Sequence, residues 1–349
     1  MKKIFIPMIS LLSLATLVGC NETKEPSSPD SKESEVSSSV DTSSYVEPDF
    51  SSLKIAAPKG APAIALYDMH DEIDHVEITT PANVLAYLSD ASNKDIVIAP
   101  TNALTSKIMT NNAPYKISAI LTFGNFYIAS TGNDDNDTFD KDDYIVLFQQ
   151  NGLPDKLFKY TYGTDYSNLH YVSEANDANK CLMNGINDTD NNNSVDYVLV
   201  PQPALTAGLA KAKQNRPEKA EKIKQVKDVQ ADYKAKSNNS VITQAALFVR
   251  PTTDQNKINL INQFLLHVDT TVKGVLNDTT ALETKLAGLT DAQIAAKFGA
   301  PNINILKSTI KANSIGLGYE IATDFKVNVD AFLKNLGFIN EDTSEDLYY

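Results

Sequence analysis

The sequence lacks several features that would indicate a particular class of protein. Its 349 residues include no tryptophan, only two cysteines and only four histidines. Two cysteines are too few for a disulfide-rich scaffold, and no cysteine–histidine cluster has zinc-site spacing. The sequence also contains no GxSxG, SxxK, HExxH or phosphate-binding-loop motif. No motif therefore indicates an enzyme.

Basic residues are also scarce. Lysine and arginine number 31 against 44 acidic residues, which gives a net charge of −13. This balance argues against a nucleic-acid-binding protein, because such a protein needs a basic face to displace counterions. The hydrophobic fraction of 42% excludes disorder throughout, and the length favours about two domains.

Residues 1–20 have the pattern of a bacterial lipoprotein signal peptide. Lys2 and Lys3 precede a mainly apolar run, which ends at Leu-Val-Gly-Cys over 17–20. These four residues resemble the lipobox, in which the cysteine is lipidated and becomes the new N-terminus. We therefore expect Cys20 to anchor the protein on the outer face of the bacterial cytoplasmic membrane. The alternative is an uncleaved signal anchor with an incidental cysteine.

A polar segment follows the signal. Residues 21–52 contain 11 serines, eight acidic residues and two lysines. Because this stretch has so little apolar surface to bury, we expect it to be a disordered tether. If Cys20 is lipidated, Cys181 is the only remaining thiol, and we expect it to be a buried helix residue.

From residue 53 onward, short apolar runs alternate with helical patterns. Residues 53–57, 75–79 and 95–99 each have the composition of a strand followed by a turn and a helix. Short strands separated by helices predict βαβ units and a mainly parallel sheet, so the fold class is α/β. We also expect one helix over 282–298 and a basic surface stretch over 214–236.

In open α/β sheets, ligands bind beyond the carboxyl ends of the strands, where N–H groups at helix starts face outward. The segments in that position are the turns at 58–62, 100–102, 122–125, 151–154 and 201–203.

Four stretches carry a family resemblance. They are IAAPKGAPAIALYDM (55–69), DIVIAPTNALTSKIMTNNAPYKISAILTFGNFYIAS (95–130), DYVLVPQPALTAGLAK (196–211) and VITQAALFVRPTTDQNKINLINQFL (241–265). In order and spacing they resemble the solute-binding lipoproteins of ABC importers, in the group that binds aliphatic sulfonates, nitrate and thiamine-precursor pyrimidines. Gln202 departs from the group's Pro-Glu-Pro turn, and we expect it to direct a neutral amide outward. The 151–154 turn lacks the group's glycine-rich character, which leaves its anion-binding role open.

The resemblance implies a periplasmic-binding-protein type II-like fold, with two α/β lobes and a ligand cleft between them. Lobe one would comprise 53–130 and 247–349, and lobe two 131–246. The resemblance implies a ligand site formed by Lys59, Gly60, Ala61, Thr101, Asn102, Thr122, Phe123, Gly124, Asn151 and Gln202.

Most of these positions also have a purely structural interpretation. Thr101 and Asn102 can cap a helix without binding a ligand. Lys59 is the only cation in these turns and can be a solvated turn residue. Phe123 lies in a turn and can stack on a flat ligand, whereas Phe126 is expected in the core.

Two acidic loops raise the possibility of a calcium site. Residues 188–196 alternate like the first half of an EF-hand loop, but Asn193 stands where the glycine should be and Leu199 where the bidentate glutamate should be. The acidic run 134–143 is expected to be a solvated loop between the lobes. We therefore expect no metal site and no cofactor.

These observations predict a lipid-anchored, monomeric receptor that captures a small polar solute by closing two lobes. Its partners would be an ABC permease and ATPase. One alternative is a surface lipoprotein outside transport, such as a sensor or adhesin. Another is an enzyme of the same fold, which the lipobox argues against. Sulfonate-like, pyrimidine-like and other nitrogenous solutes all remain open.

Overall fold

The computed structural model describes residues 48–349 except Asp135 and Asp137. The predicted signal peptide, its lipidation site Cys20 and residues 21–47 of the predicted tether lie outside the described residues. Within the described part of the chain, no helix has the length and apolar character needed to span a membrane.

The described residues form two mixed sheets and a small hairpin, with helices packed around them. The strands are β1 (Ile55–Pro58), β2 (Val76–Thr79), β3 (Ile96–Pro100), β4 (Lys116–Thr122), β5 (Phe126–Ser130), β6 (Ile145–Phe148), β7 (Leu169–Val172), β8 (Ile186–Asn187), β9 (Asn193–Ser194), β10 (Tyr197–Pro201), β11 (Lys224–Asp228), β12 (Ala245–Val249) and β13 (Leu317–Ile321).

Lobe one contains the six-stranded sheet, whose strand order is β13-β4-β12-β3-β1-β2. β1 runs parallel to β2 and β3, whereas β12 is antiparallel to both β3 and β4. The carboxyl ends of β3 and β4 therefore meet the start of β12 at one edge of the sheet. The central strands are buried along their length, as expected for a sheet covered on both faces.

Lobe two contains the five-stranded sheet, with the order β11-β5-β10-β6-β7. β10, β6 and β7 are parallel, and β5 is antiparallel to both β10 and β11. The two lobes confirm the α/β class, because parallel strands alternate with helices in each. The expectation of a mainly parallel sheet is wrong, because β12, β13, β5 and β11 pair antiparallel with their neighbours.

The helices are α1 (Ala61–Ile64), α2 (Pro81–Tyr87), α3 (Leu153–Tyr162), α4 (Ala175–Asn184), α5 (Ala204–Asn215), α6 (Val229–Lys236), α7 (Gln255–Asn277), α8 (Thr280–Leu286), α9 (Asp291–Phe298), α10 (Ile303–Lys311) and α11 (Lys326–Asn335). The expected single helix over 282–298 is wrong, because Thr290 and Gln293 form a capping box that starts α9 separately. The stretch 214–236 includes β11 and α6, whose start is capped by Asp228.

The chain passes between the lobes twice, through residues 123–125 and through residues 237–244. The first passage, at 123–125, lies earlier than the lobe boundary at residue 130 that the sequence predicted. β5, assigned to lobe one by sequence, pairs with β10 and β11 of lobe two. β12, which the expected boundary at 246 would divide, lies wholly in lobe one. An apolar strand does not specify its pairing partners, so only the sheet fixes these boundaries.

The folded part of the chain begins before residue 53. Phe50, which the sequence assigned to the tether, is buried. Its ring centroid lies 5.5 Å from that of Phe264 and 5.3 Å from that of His267, both on α7. Because these partners are more than 200 residues away in sequence, composition alone could not reveal the contact.

Helix α11 of lobe one also contacts lobe two. Phe332 packs edge-on against Tyr233 of α6, with ring centroids 6.0 Å apart. Asn335 donates a side-chain hydrogen bond to the Tyr233 hydroxyl at 3.0 Å, and Lys156 of α3 donates to the Leu336 carbonyl at 3.3 Å. These contacts join the lobes beside the two chain crossings.

Candidate ligand-binding site

Three polar residues lie side by side at the lobe-one sheet edge where the chain leaves for lobe two. Thr101 follows β3, Gln244 precedes β12 and Thr122 ends β4. The Gln244 carbonyl accepts from the Thr101 N–H at 3.0 Å, and the Gln244 N–H donates to the Thr122 carbonyl at 2.8 Å. The backbone therefore holds the three positions in one row.

Six buried side-chain oxygens in and beside this row have no hydrogen-bond partner among the described residues. We call them the crossing cluster: Thr101 Oγ1, Thr105 Oγ1, Thr122 Oγ1, Asn125 Oδ1, Thr243 Oγ1 and Gln244 Oε1. Thr101 and Thr243 are 0% exposed, and Asn125 is 4% exposed. Each unsatisfied buried polar atom costs about 1–3 kcal/mol, and native proteins contain few of them. Ordered water or a bound ligand can supply the missing partners of such atoms, so we take the crossing cluster as the candidate ligand-binding site.

The hydrogen bonds of Asn125 fix its orientation. Its side-chain Nδ2 donates to the Gln202 backbone carbonyl at 2.9 Å. Its backbone carbonyl accepts from the Gln202 N–H, also at 2.9 Å. The side-chain oxygen Oδ1, which can only accept hydrogen bonds, is therefore the polar atom of Asn125 without a partner among the described residues. Through this pair of contacts the first crossing is attached to the turn after β10 of lobe two.

The helix-capping interpretation of Thr101 and Asn102 is wrong. The helix after β3 is a π-helix, Leu104–Met109, and within residues 101–109, all of them described, no side chain caps its start. Backbone carbonyls close the turn instead: Thr101 accepts from the Leu104 N–H at 3.0 Å, and Asn102 from the Thr105 N–H at 3.2 Å. The Thr101 hydroxyl is thus not used by the helix.

The Lys59-Gly60-Ala61 turn follows β1, which pairs with β3. Continuing that register brings the turn alongside Pro100 and Thr101. Lys59 is half-buried and its N–H donates to the Thr79 carbonyl at 3.0 Å. Gly60 has φ +102° and ψ −149°, a conformation that requires glycine. The glycine therefore allows the chain to turn sharply between β1 and α1.

Phe123 and Gly124 line a separate cavity of about 300 Å³, bordered by Tyr127 and Gln230 from lobe two and by Gly316 from lobe one. The Phe123 ring packs edge-on against Phe325, 5.7 Å away. Stacking of Phe123 on a flat ligand therefore stays a prediction. Phe126 is buried, 6.2 Å from the Phe148 ring, which confirms its expected core role.

Tyr127 closes one side of this cavity and joins the lobes. Its hydroxyl donates to the Ser314 carbonyl of lobe one at 3.0 Å. Burial raises the pKa of Tyr127 to about 12, so the hydroxyl remains a hydrogen-bond donor at neutral pH.

Asn151 lies on lobe two just before α3. Its side chain is exposed, and its N–H donates to Asp155 Oδ2 at 2.8 Å. Asp155 is the third residue of α3 and is 1% exposed. Its carboxylate also accepts from the Lys159 ammonium at 3.0 Å and from the Tyr171 hydroxyl at 3.0 Å. The start of this helix therefore already holds a carboxylate of the chain itself.

The expectation that Gln202 directs its amide outward is wrong for the amide oxygen. Gln202 is 8% exposed. Its Oε1 accepts from the Thr206 N–H at 3.2 Å and from the Thr206 hydroxyl at 2.9 Å, inside the first turn of α5. The reason is local, because Pro203 precedes α5 and has no side-chain acceptor. Gln202, the residue before Pro203, accepts the hydrogen bonds from the helix start instead.

Sequence reasoning missed Asn125, Thr243, Gln244 and Asp155. Thr243 and Gln244 are the polar residues immediately before an apolar strand, but the antiparallel direction of β12 is what brings them to the same edge as Thr101. Direction within a sheet is a tertiary property, so no local pattern could identify them. Asp155 follows Pro154 at a helix start, which a capping analysis of that turn could have found.

The described carboxylates of the acidic loops mostly bind neighbouring groups of the chain. Asp190 accepts from the Tyr144 hydroxyl at 2.5 Å and pairs with His170 Nδ1 at 3.0 Å. Asp196 accepts from the Tyr144 N–H at 2.9 Å. Among the residues that the structure describes, no group of three or more metal-ligating side chains has a geometry that could hold a metal ion. Burial and the neighbouring Asp134, Asp196 and Asp140 carboxylates raise the pKa of Asp143 to about 6.

Comparisons with known proteins found structural relatives only. No known protein family matches the sequence, and no curated protein matches it significantly. An ABC transporter structure from Parabacteroides distasonis is 16% identical, with a TM-score of 0.61 over 83% of this chain and 99% of that one. The periplasmic aliphatic sulphonate binding protein SsuA from Escherichia coli is 14% identical, with a TM-score of 0.55 over 84% of this chain and 90% of that one.

A third solved structure is the ligand binding component of an ABC-type import system from Staphylococcus aureus, determined with zinc bound. It is 13% identical, with a TM-score of 0.55 over 85% of this chain and 95% of that one. These similar structures agree with the group that the sequence motifs resemble. The two sheets, the two crossings and these similarities together show that the chain has the periplasmic-binding-protein fold.

Proposed function

We propose that this chain is the solute-binding component of an ABC importer and binds a small polar solute without converting it. The observation that carries the proposal is the crossing cluster. Its unsatisfied oxygens lie where the two lobes join, which is the place where lobe closure would exclude water from a bound molecule. The similar structures are an ABC transporter structure, the ligand binding component of an ABC-type import system and a periplasmic sulphonate binding protein, which supports the same conclusion.

In this proposal the solute contacts Thr101, Asn102, Thr122 and Gln244 from lobe one, and Asn125 at the first crossing. Lys59, Gly60 and Ala61 line the lobe-one side, and Asn151 and Gln202 the lobe-two side. Because both crossings begin or end at the Thr101–Gln244–Thr122 row, a ligand there restrains the angle between the lobes. Cys20 would hold this monomeric receptor on the outer face of the bacterial cytoplasmic membrane, close to a permease and its ATPase.

A thermal-shift screen of the full chain against a broad library of small metabolites tests this proposal. A solute at about 100 times its dissociation constant should stabilise the fold by about 2.7 kcal/mol, which is a shift of several degrees. Solution X-ray scattering should show compaction with the same compound. A well-folded protein that responds to no compound, or that turns over the compound it binds, would contradict the proposal.

A further inference from the structure

The cavity of about 300 Å³ beside Phe123 lies on the other side of the first crossing from the Thr101–Gln244–Thr122 row. The first crossing joins β4 to β5, and each of these strands lies next to an edge strand, β13 in lobe one and β11 in lobe two. The cavity is on the side of these edge strands, whereas the row is on the side of β12 and β3. We call it the edge cavity, and it is lined by Phe123, Gly124, Tyr127, Asp228, Gln230, Asn313, Gly316 and Leu317.

Both lobes contribute walls to the edge cavity. In lobe one, the Phe123 N–H donates to the Gly316 carbonyl at 2.7 Å, which holds the first crossing against the start of β13. In lobe two, Asp228 at the end of β11 lies opposite Tyr127 of β5 in the sheet. The volume is at the lower end of the range for ligand pockets. A small molecule in this cavity would therefore contact both lobes without entering the row.

The edge cavity is negatively charged. Asp228 is the one charged residue that lines it within the described part of the chain. Its Oδ1 accepts from the Ala231 N–H at 3.0 Å and from Gln230 Nε2 at 3.1 Å, so Oδ2 has no hydrogen-bond donor among the described residues. The adjacent Lys227 does not neutralise it, because its Nζ lies over the Phe139 ring, 5.7 Å from the centroid. An anion here would meet a carboxylate without a cation to offset it.

The tyrosine beside Asp228 reflects the position of this carboxylate. Burial and then the Asp228 charge raise the pKa of Tyr127 to about 12. The carboxylate is therefore close enough to the Tyr127 hydroxyl for the two groups to interact. Because that hydroxyl donates to the Ser314 carbonyl at 3.0 Å, its hydrogen atom is not available to an anionic ligand.

Two further features of the lining favour a cation. Phe123 and Tyr127 contribute aromatic rings, and the face of such a ring attracts an organic cation. Asn313 and Gly316 follow the C-terminal end of α10, and the partial negative charge at a helix C-terminus also favours positive charge. The opposite charge at the start of α6 is already offset by its Asp228 cap.

We propose that the edge cavity binds a small organic ammonium ion. The ammonium group pairs with Asp228 Oδ2, and the carbon part of the ligand packs against the rings of Phe123 and Tyr127. This site is separate from the row that would bind the transported solute, so it does not depend on the proposed function.

Three four-carbon probes that differ in their polar group test the proposal on the full chain. They are butylammonium, butan-1-ol and butyrate, each titrated by ligand-observed NMR in about 150 mM salt, which screens ion pairs on the exposed surface. We expect butylammonium to bind at least about tenfold more tightly than butan-1-ol, because the ion pair and the aromatic contact both require the charge. Butyrate should not bind measurably. If butan-1-ol or butyrate bound as tightly as butylammonium, or if none of the three bound, the proposal would be overturned.

A matched pair of substitutions locates the binding site. Asp228→Asn removes the negative charge, and α6 should remain folded because asparagine is also a favourable helix cap. This substitution should weaken butylammonium binding at least about fivefold. Asp254→Asn makes the same change at the cap of α7 and should bind butylammonium like the wild type. Equal affinities of the two folded variants would show that the ammonium ion binds elsewhere on this acidic protein, and would overturn the assignment of the edge cavity.

Discussion

Replacing Thr101 by valine separates a ligand-binding hydroxyl from a structural one. Thr101 is 0% exposed, and its Oγ1 lacks a hydrogen-bond partner among the described residues. An unsatisfied buried hydroxyl costs about 1–3 kcal/mol, whereas a methyl group of similar shape carries no such cost. Without solute, Thr101→Val should therefore raise the free energy of unfolding by about 1 kcal/mol, which corresponds to about 2 °C in melting temperature.

The same substitution should weaken solute binding. The solute satisfies the hydroxyl in the wild-type protein, and loss of one hydrogen bond between uncharged groups costs about 1 kcal/mol. The dissociation constant of Thr101→Val should therefore rise about fivefold. Differential scanning calorimetry measures the first effect, and isothermal titration calorimetry measures the second.

Thr309→Val is the matched control. Thr309 is 2% exposed, but its hydroxyl donates to the Leu306 carbonyl at 2.9 Å and lies 3.1 Å from that of Ile305. Valine at this position should lower the free energy of unfolding by about 1 kcal/mol and leave the dissociation constant unchanged. If Thr101→Val destabilised the solute-free protein as Thr309→Val does, and bound solute normally, the interpretation of the crossing cluster would be refuted.

Three further predictions concern the crossings and the lobe-two loops. A Cβ on Gly316 would lie 1.9 Å from the Gly124 carbonyl oxygen, so Gly316→Ala should lower the melting temperature, whereas Gly274→Ala, in an open part of α7, should raise it slightly. The pKa of Asp143 is raised to about 6 in the folded state, so ionisation of this group reduces stability as pH rises from about 4 to 6. Asp143→Asn should therefore melt at a higher temperature than wild type at pH 7.5, but not at pH 3.5. Tyr127→Phe removes a hydrogen bond between the lobes and should increase the radius of gyration of the solute-free protein in X-ray scattering. An unchanged radius of gyration would show that this hydrogen bond does not hold the two lobes together.

The local signals in the sequence predicted much of the fold. Apolar runs that end at proline located β1 and β3 to within a residue or two, because a buried strand must be continuously apolar. The motifs around these strands also indicated the periplasmic-binding-protein fold, with turns at the strand ends as the candidate site. Thr101 and Thr122 belong to the crossing cluster and were identified from those turns.

The tertiary structure decided the features that depend on which segments meet. β5 could be assigned to lobe two only from its pairing with β10 and β11, and Gln244 could join Thr101 only because β12 runs antiparallel to β3. The tertiary structure also decided which polar side chains are satisfied within the chain. In the sequence, Gln202 and Asn125 are polar turn residues and Asp155 lies just after a turn, so each was equally able to face a ligand. The first two satisfy helix starts, while the third keeps a buried oxygen free, because hydrogen-bond satisfaction is set by three-dimensional neighbours and not by residue type.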